Sequence, residues 1–193
     1  GAPGGVVEGS LALTLCLTTG GQVKISEDGR YTEWKQGAQI RQNDLAVCGT
    51  NLLNPRIAGG GAASNEVFSF TLSADGQKAV MEASDGDLVS NDRNRSFDVF
   101  LRDVGAGSTT LISQRSPLRV APADGISTVV ARGVSTNGQW AMFVRQAENL
   151  ATHDANGYRD GFIRGLEAAT NLQVSVAPNG VRDTRDSFLQ SMG

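Results

Sequence analysis

Apolar and polar residues alternate along short stretches of the chain, and turn-forming pairs separate these stretches. In the segment KAVMEAS, Ala79, Met81 and Ala83 lie two positions apart, and DVFLRDV at 98–104 alternates in the same way. A period of two is typical of β-strands. Asp-Gly and Asn-Gly pairs accept the positive φ that tight hairpin turns need. No helical apolar stripe of useful length occurs, so the pattern predicts an all-β protein.

Two long segments of the chain repeat each other. Residues 72–113 align with residues 134–175 without a gap over 42 positions. The identical pairs include Ser73/Ser135, Gly76/Gly138, Gln77/Gln139, Leu88/Leu150, Asp92/Asp154, Asn94/Asn156, Asp98/Asp160, Phe100/Phe162, Arg102/Arg164 and Ser113/Ser175. Self-similarity at a fixed period is the signature of a repeat architecture.

A shorter copy precedes these two, and a fragment of another follows them. Residues 25–34 repeat the Ser-x-Asp-Gly turn, but this copy lacks the DRNRSFD-like insert; the tail, DSFLQSMG, resembles the start of a further copy. We therefore expect an N-terminal segment with an alternating strand, a short degenerate blade, two full blades, and the start of a further blade or a tail. Their bounds are 1–21, 22–63, 64–125, 126–185 and 186–193.

Each full copy predicts four short strands in the order strand, Asp-Gly or Asn-Gly turn, strand, polar loop, strand, Gly-rich turn, strand. Four antiparallel strands repeated in this way are the layout of a β-propeller blade. The residues SADGQKAVMEA … DLVSNDRNRSFDVFLRDVGAGSTTLIS resemble the TolB-type (WD40-like) β-propeller repeat, and the resemblance covers roughly residues 22–193. Since rings typically need 4–8 blades, about three blades predict an incomplete propeller, or one that a partner completes.

The resemblance also carries expectations about function. TolB is a periplasmic, non-enzymatic propeller that binds partner proteins, so we expect a non-catalytic, exported module, periplasmic or extracellular, for protein–protein interaction or structural assembly. The partner would be another protein or further blades of a longer chain, and a homodimer that closes a six-bladed ring stays open. Because the same blade occurs in prolyl-oligopeptidase-like peptidases, the alternative is an accessory propeller domain of a larger hydrolase.

The composition of the chain excludes several classes of function. The chain has 24 Gly among 193 residues, which suits many tight turns, and a formal net charge of −3, which argues against nucleic-acid binding. No apolar run approaches the ~18 residues that a membrane span needs. The sequence contains no G-x-S-x-G nucleophile motif, and the single histidine, His153, is predicted to lie in a surface loop. No catalytic site is predicted.

The two D-x-N-x-x-x-D segments are the strongest candidates for a ligand-binding motif in the chain. Alternating oxygen donors in a tight loop suit Ca²⁺, so a calcium site is predicted in each of the two loops. The candidate ligands are Asp92, Asn94 and Asp98 in one loop, and Asp154, Asn156 and Asp160 in the other. The alternative is that these residues hold their own loop backbone through Asx-turns without a metal.

The two cysteines and the aromatic residues carry structural predictions. Cys16 and Cys48 both fall in strand-like segments, which favours a disulfide, with two buried thiols as the alternative. The aromatic residues are assigned to the core between blades: Trp34, Phe68, Phe70, Phe97, Phe100, Trp140, Phe143, Phe162 and Phe188. Four apolar residues of the second copy are predicted to share one inner face: Leu72, Val80, Phe100 and Leu111.

Overall fold

The fold was obtained as a computed structural model, and the structure describes residues 23–57, 61, 63, 67–84, 86–94, 96–114, 125–146, 157–176 and 185–191. Within these ranges every regular element is a β-strand. The strands are β1 (Val23–Ile25), β2 (Tyr31–Gln36), β3 (Gln39–Asp44), β4 (Gly49–Leu52), β5 (Val67–Leu72), β6 (Lys78–Ala83), β7 (Asp98–Asp103), β8 (Ser108–Leu111), β9 (Ser127–Val134), β10 (Trp140–Arg145), β11 (Asp160–Gly165) and β12 (Thr170–Gln173).

The strands form three separate four-stranded antiparallel sheets, each in the order in which its strands follow along the chain. We call them blade 1 (β1–β4), blade 2 (β5–β8) and blade 3 (β9–β12). The first strands of all three blades line one common cleft of about 700 Å³. This radial arrangement of meander sheets confirms the predicted all-β, propeller-blade architecture.

The repeated Ser-x-Asp-Gly turn joins the first and second strand of each blade. In blade 1, Ser26 Oγ donates a hydrogen bond to Asp28 Oδ1 over 2.6 Å, and the Tyr31 amide donates to Ser26 Oγ over 2.9 Å. Gly29 takes the positive φ, at 72°. The same hydrogen bonds recur at Ser73 in blade 2 and at Ser135 in blade 3, where an asparagine replaces the aspartate. The turn residues therefore hold their own hairpin, as the sequence predicted.

Two apolar cores lie between neighbouring blades. The core between blades 1 and 2 includes Ile40, Leu53, Val67, Phe70, Met81, Phe100 and Leu111. The core between blades 2 and 3 includes Val80, Val99, Leu101, Ile112, Val129, Val134, Phe143 and Phe162. Blade 2 is thus packed on both faces.

The prediction that Leu72, Val80, Phe100 and Leu111 share one face is wrong for one of them. Val80 packs toward blade 3, whereas Phe100 and Leu111 pack toward blade 1. The reason is the register: Val80 pairs with Leu101, and Met81 pairs with Phe100. Residues opposite each other in neighbouring strands share a face, so Val80 lies on the face opposite to that of Phe100.

The aromatic residues divide between core and surface. Phe100, Phe143 and Phe162 are fully buried, and Phe143 stacks on Phe162 with the ring centroids 5.8 Å apart. Phe68, Trp140 and Phe188 are exposed, so their assignment to the core is wrong. Period-two reasoning identifies the two faces of a strand, but it does not tell which face a neighbouring blade covers.

Cys48 is disulfide-bonded, and the described residues contain no free cysteine. The other cysteine of the chain, Cys16, lies outside the described residues, as does His153. In the described ranges, no helix has the length and apolar character to cross a membrane.

Candidate interaction site on blade 3

The two faces of blade 2 show which positions of a blade receive its neighbour. On the face toward blade 3, Val80 and Leu101 are cross-strand partners in the core between these blades. The equivalent positions of blade 3 are Met142 and Ile163, which are likewise cross-strand partners. Blade 3 therefore carries the same apolar row on the face that points away from blade 2.

This row continues across the last strand of blade 3. Ile163 pairs with Leu172, so both side chains lie on the same face. Leu172 is 63 % exposed, and Ile163 is only partly buried. We call Met142, Ile163, Leu172 and Val174 the blade-3 face. Ile163 and Val174 are half-buried, whereas their equivalents in blade 2, Leu101 and Ile112, are buried. Leu172 is exposed where blade 2 has Thr110, which is also exposed. The apolar row is therefore less covered in blade 3 than in blade 2.

Residues 185–191 run along blade 3 on the path that the start of β9 takes along blade 2. The Ser187 amide donates to the Arg159 carbonyl oxygen over 2.7 Å, as the Ser127 amide donates to that of Phe97 over 2.7 Å. Leu189 packs directly over Gly161, where an added Cβ would lie 2.8 Å from Leu189 Cδ1. Gly161 therefore provides the space that the Leu189 side chain occupies.

A buried ion pair fixes blade 3 onto blade 2. Arg145, at the end of β10, approaches Asp98 Oδ1 with Nη1 at 3.2 Å, and both side chains are fully buried. The Ser113 hydroxyl donates to the same Oδ1 over 2.6 Å. Arg145 also donates to the carbonyl oxygens of Ser113 and Gly125, over 2.6 and 2.7 Å. Burial raises the pKa of Asp98, and the hydrogen bond from Ser113 and the charge of Arg145 oppose that rise.

Blade 3 repeats the acidic half of this site. Asp160 is fully buried at the start of β11, and the Ser175 hydroxyl donates to its Oδ1 over 2.5 Å. The Gly161 amide donates to Ser175 Oγ over 3.2 Å, as the Val99 amide does to Ser113 Oγ over 3.0 Å. No described cation contacts Asp160, and its Oδ2 has no hydrogen-bond partner. The carboxylate and its serine are repeated, but the arginine is not.

The predicted calcium ligands are only partly brought together. Asp98 is engaged by Ser113 and Arg145, and Asn94 Oδ1 accepts the Ser96 amide over 2.8 Å in an Asx-turn. Asp92 is buried, whereas Asp154 and Asn156 lie outside the described residues. In the described ranges, no three His, Cys, Asp or Glu side chains are grouped as a metal site would need.

Calcium binding at these loops therefore stays a prediction. Metal binding to the folded form alone stabilises it by mass action. Calcium binding requires the melting temperature to differ by several degrees between EDTA and millimolar Ca²⁺. Equal melting temperatures would leave the Asx-turns as the role of these residues.

Sequence reasoning missed Arg145, although the residue is decisive for the site. In the gapless alignment Arg145 falls opposite Ala83, so the repeat gives no indication of it. Its partner Asp98 lies in the preceding copy, which is why a comparison within each copy does not reveal the pair. The available signal was an arginine closing the apolar strand WAMFVR, since arginines in such strands are seldom buried unless paired.

The described geometry defines a class of protein, an arc of β-propeller blades with a partly exposed apolar face on blade 3. No family model matches the chain, and no curated protein matches it in sequence. Solved structures do match: a protein described as TolB from Agrobacterium tumefaciens has 12% identity and a TM-score of 0.48, over 83% of this chain and 50% of that one. TolB from Acinetobacter baumannii has 16% identity and a TM-score of 0.44, over 84% and 38%.

A peptidase is also among the similar structures. Porphyromonas gingivalis dipeptidyl peptidase 4 has 17% identity and a TM-score of 0.46, over 94% of this chain and 22% of that one. The chain thus spans half or less of the length of each of these proteins. The blade architecture itself is shown by the three four-stranded meander sheets.

Proposed function

We propose that this chain is a non-catalytic, exported β-propeller module of the cell envelope that mediates protein–protein interaction or structural assembly. The blade-3 face receives its protein partner. The observation that carries this proposal is the partial exposure of Ile163 and Val174 beside the exposed Leu172. In blade 2 the equivalents of Ile163 and Val174 are Leu101 and Ile112, which are buried against blade 3.

The chemistry of the face supports this role. Leu172 on the last strand and Val176 beyond its end are exposed, and Ile163 and Val174 are half-buried. Contiguous apolar patches on soluble proteins mark interaction surfaces more often than chance. Exposed strand edges also invite pairing with further strands unless they are covered. A partner that covers the face would bury both the apolar patch and the exposed strand edge.

The alternative, an accessory propeller of a larger hydrolase, places the chemistry in a domain outside these residues. It stays a prediction. Its test is the sequence of the whole gene, in which a hydrolase domain joined to this chain would support it.

Site-specific photo-crosslinking in the cells that make the protein tests the interaction. A photoreactive phenylalanine derivative at Leu172 should yield a discrete crosslinked product. The matched control carries the same derivative at Val47, which is also exposed but lies in the β3–β4 turn of blade 1, away from the blade-3 face. Absence of a product at Leu172, or equal products at both positions, would contradict the proposal.

A further inference from the structure

We propose that Asp160 is the receptor for an arginine of a fourth blade, and that residues 185–191 are the first strand of that blade. The inference rests on the proposed function, since it identifies the chemistry of the element that covers the blade-3 face. The element that covers the blade-3 face is a fourth blade. Residues 185–191 form its first strand, and its second strand ends in an arginine.

Asp160 occupies the position in blade 3 that Asp98 occupies in blade 2. Both begin the third strand of their blade, both are fully buried, and both accept a hydrogen bond from a serine after the fourth strand. A buried carboxylate is costly unless it is paired. Asp98 obtains its cation from Arg145 in the next blade, and Asp160 has no next blade among the described residues. Arg145 meets Asp98 at Oδ1, so a following blade would bring its arginine to the corresponding Oδ1 of Asp160; Oδ2 has no hydrogen-bond partner in either carboxylate.

Residues 185–191 follow the course of a first strand. The bond from Ser187 to Arg159 matches the bond from Ser127 to Phe97, which aligns position 187 with position 127. Leu189 then takes the place of Val129, and Gly161 opposite it takes the place of Val99. A larger residue on one side is compensated by a smaller one on the other. This size exchange indicates a built contact and a strand that enters blade 4.

The sequence continues this alignment by two positions. With Ser187 placed on Ser127, Gly193 falls on Gly133. Gly133 occupies a bulge in β9 where an added Cβ would lie 2.7 Å from the carbonyl oxygens of Val130 and Met142, so only glycine fits. A first strand that has the bulge of β9 needs a glycine at this place, and the sequence has one at position 193.

A second copy of the chain fits this position less well than a fourth blade. Its blade 1 would bring its own first strand into the place that residues 185–191 already take. The face that blade 1 would offer is also buried within one chain, since Thr32 and Trp34 are 0 % and 1 % exposed. At the position of Arg145, blade 1 carries Gln36, which is neutral.

The first test uses the chain itself and compares two isosteric variants. Asp98→Asn removes the charge that pairs with Arg145 and should lower the melting temperature by about 10 °C. Asp160→Asn removes a charge that has no cation and should leave the melting temperature unchanged or raise it. An equal loss in both variants would make Asp160 a structural residue of this chain and would overturn the proposal.

The second test supplies the missing blade. A copy of residues 134–176 is joined after Gly193, which places a copy of Arg145 opposite Asp160. A matched extension carries glutamine in place of the copied arginine. The arginine form should melt at a higher temperature than the glutamine form, and this difference should vanish in the Asp160→Asn background. Equal melting of the two extensions in the original background would overturn the proposal.

Light scattering distinguishes a fourth blade from a second copy of the chain. A dimer of the unextended chain that Asp160→Asn dissociates would assign the site to a second copy and overturn the fourth-blade assignment. The proposed function is tested independently of this inference. A crosslink at Leu172 without coupling between Asp160 and the copied arginine would support the interaction module. The same result would overturn the assignment of Asp160 as the receptor for an arginine.

Discussion

The interface between blades 1 and 2 and the interface between blades 2 and 3 use equivalent positions with opposite chemistry. Blade 2 presents Val80 and Leu101 to blade 3. Blade 1 presents Glu33 and Gln42 at the same positions, and Gln42 donates to Glu33 Oε1 over 2.8 Å and to the Gly76 carbonyl oxygen over 2.6 Å. One interface is an apolar core with an ion pair at its end, whereas the other holds a hydrogen-bonded polar pair beside its apolar core.

The difference shows what the blade architecture demands and what it leaves free. Packing between blades requires only that each position is filled and that each buried polar group has partners. The price of the polar solution is Glu33, whose Oε2 lacks a hydrogen-bond partner. Burial raises the pKa of Glu33 to about 8, against the lowering effects of Gln42 and Lys24. The first interface is therefore sensitive to pH, and the second depends on a permanent charge pair.

The largest effect is expected from breaking the ion pair between blades 2 and 3. Arg145→Met leaves Asp98 buried without its cation, and such a loss costs about 3–5 kcal/mol of unfolding free energy. Chemical denaturation measures it. The control is Arg30→Met, because Arg30 is exposed and pairs with Asp44 over 2.7 Å at the protein surface, where ion pairs contribute little. Equal losses in the two variants would show that Arg145 does not anchor blade 3.

A smaller, pH-dependent effect is expected at the other interface. Glu33 ordinarily has a pKa of 4.5, and in the fold it is about 8. Between these values the folded state retains a proton that the unfolded state has lost, so stability falls as pH rises from 4.5 to about 8. Glu33→Gln removes this dependence and should stabilise the protein by about 3 kcal/mol at pH 7, with little effect at pH 4.

Unfolding curves measured from pH 4 to pH 9 check this expectation. Glu27→Gln controls for the loss of one carboxylate, since Glu27 is exposed on the same blade. A gain for Glu33→Gln that is the same at every pH would show that the ionisation of Glu33 is not the cause.

The smallest effect is expected outside both interfaces, in the hairpins that join the last two strands of each blade. Ala169 in blade 3 takes a positive φ of 53°, where blade 2 has Gly107 at 65°. An L-residue in this region is strained by about 1–2 kcal/mol, partly offset by the greater freedom of glycine in the unfolded chain. Ala169→Gly should therefore stabilise by about 0.5–1 kcal/mol, and Gly107→Ala should destabilise by a similar amount.

The surroundings of Gly107 allow its variant to report on backbone strain alone. An added Cβ there meets no atom within 4 Å, so Gly107→Ala changes backbone strain without a clash. Thermal melts of both variants against the unaltered chain give the two shifts. Shifts of the same sign would contradict the strain argument.

The sequence predicted the blades because each copy contains its own turns. Ser26, Ser73 and Ser135 bond within their hairpins, so a single copy shows the whole motif. Contacts between blades could not be predicted in this way. Arg145 and Asp98 lie in different copies, and Gln42 reaches a carbonyl of the next blade. Polar residues such as Glu33 in a strand indicate exposure, and only the packed structure shows that this one is buried.

In the candidate site, too, the sequence predicted features within one copy but not contacts between blades. Asp98 and Asp160 were singled out because they repeat, and the structure shows both with their serines. Their expected role as metal ligands rested on spacing alone. The geometry gives Asp98 an arginine partner, which spacing within one loop could not reveal.

The central claim is that one face of blade 3, at Ile163 and Val174, is less covered than the equivalent face of blade 2, at Leu101 and Ile112. Amide hydrogen exchange of the unaltered chain, read by mass spectrometry, tests it most directly. The strands to compare are β7, which lies between two cores, and β11, its equivalent in blade 3. The account predicts that amides of β11 exchange at least about tenfold faster than those of β7, since local opening follows packing. Equal protection of the two strands would contradict it, because blade 3 would then be covered within the chain itself.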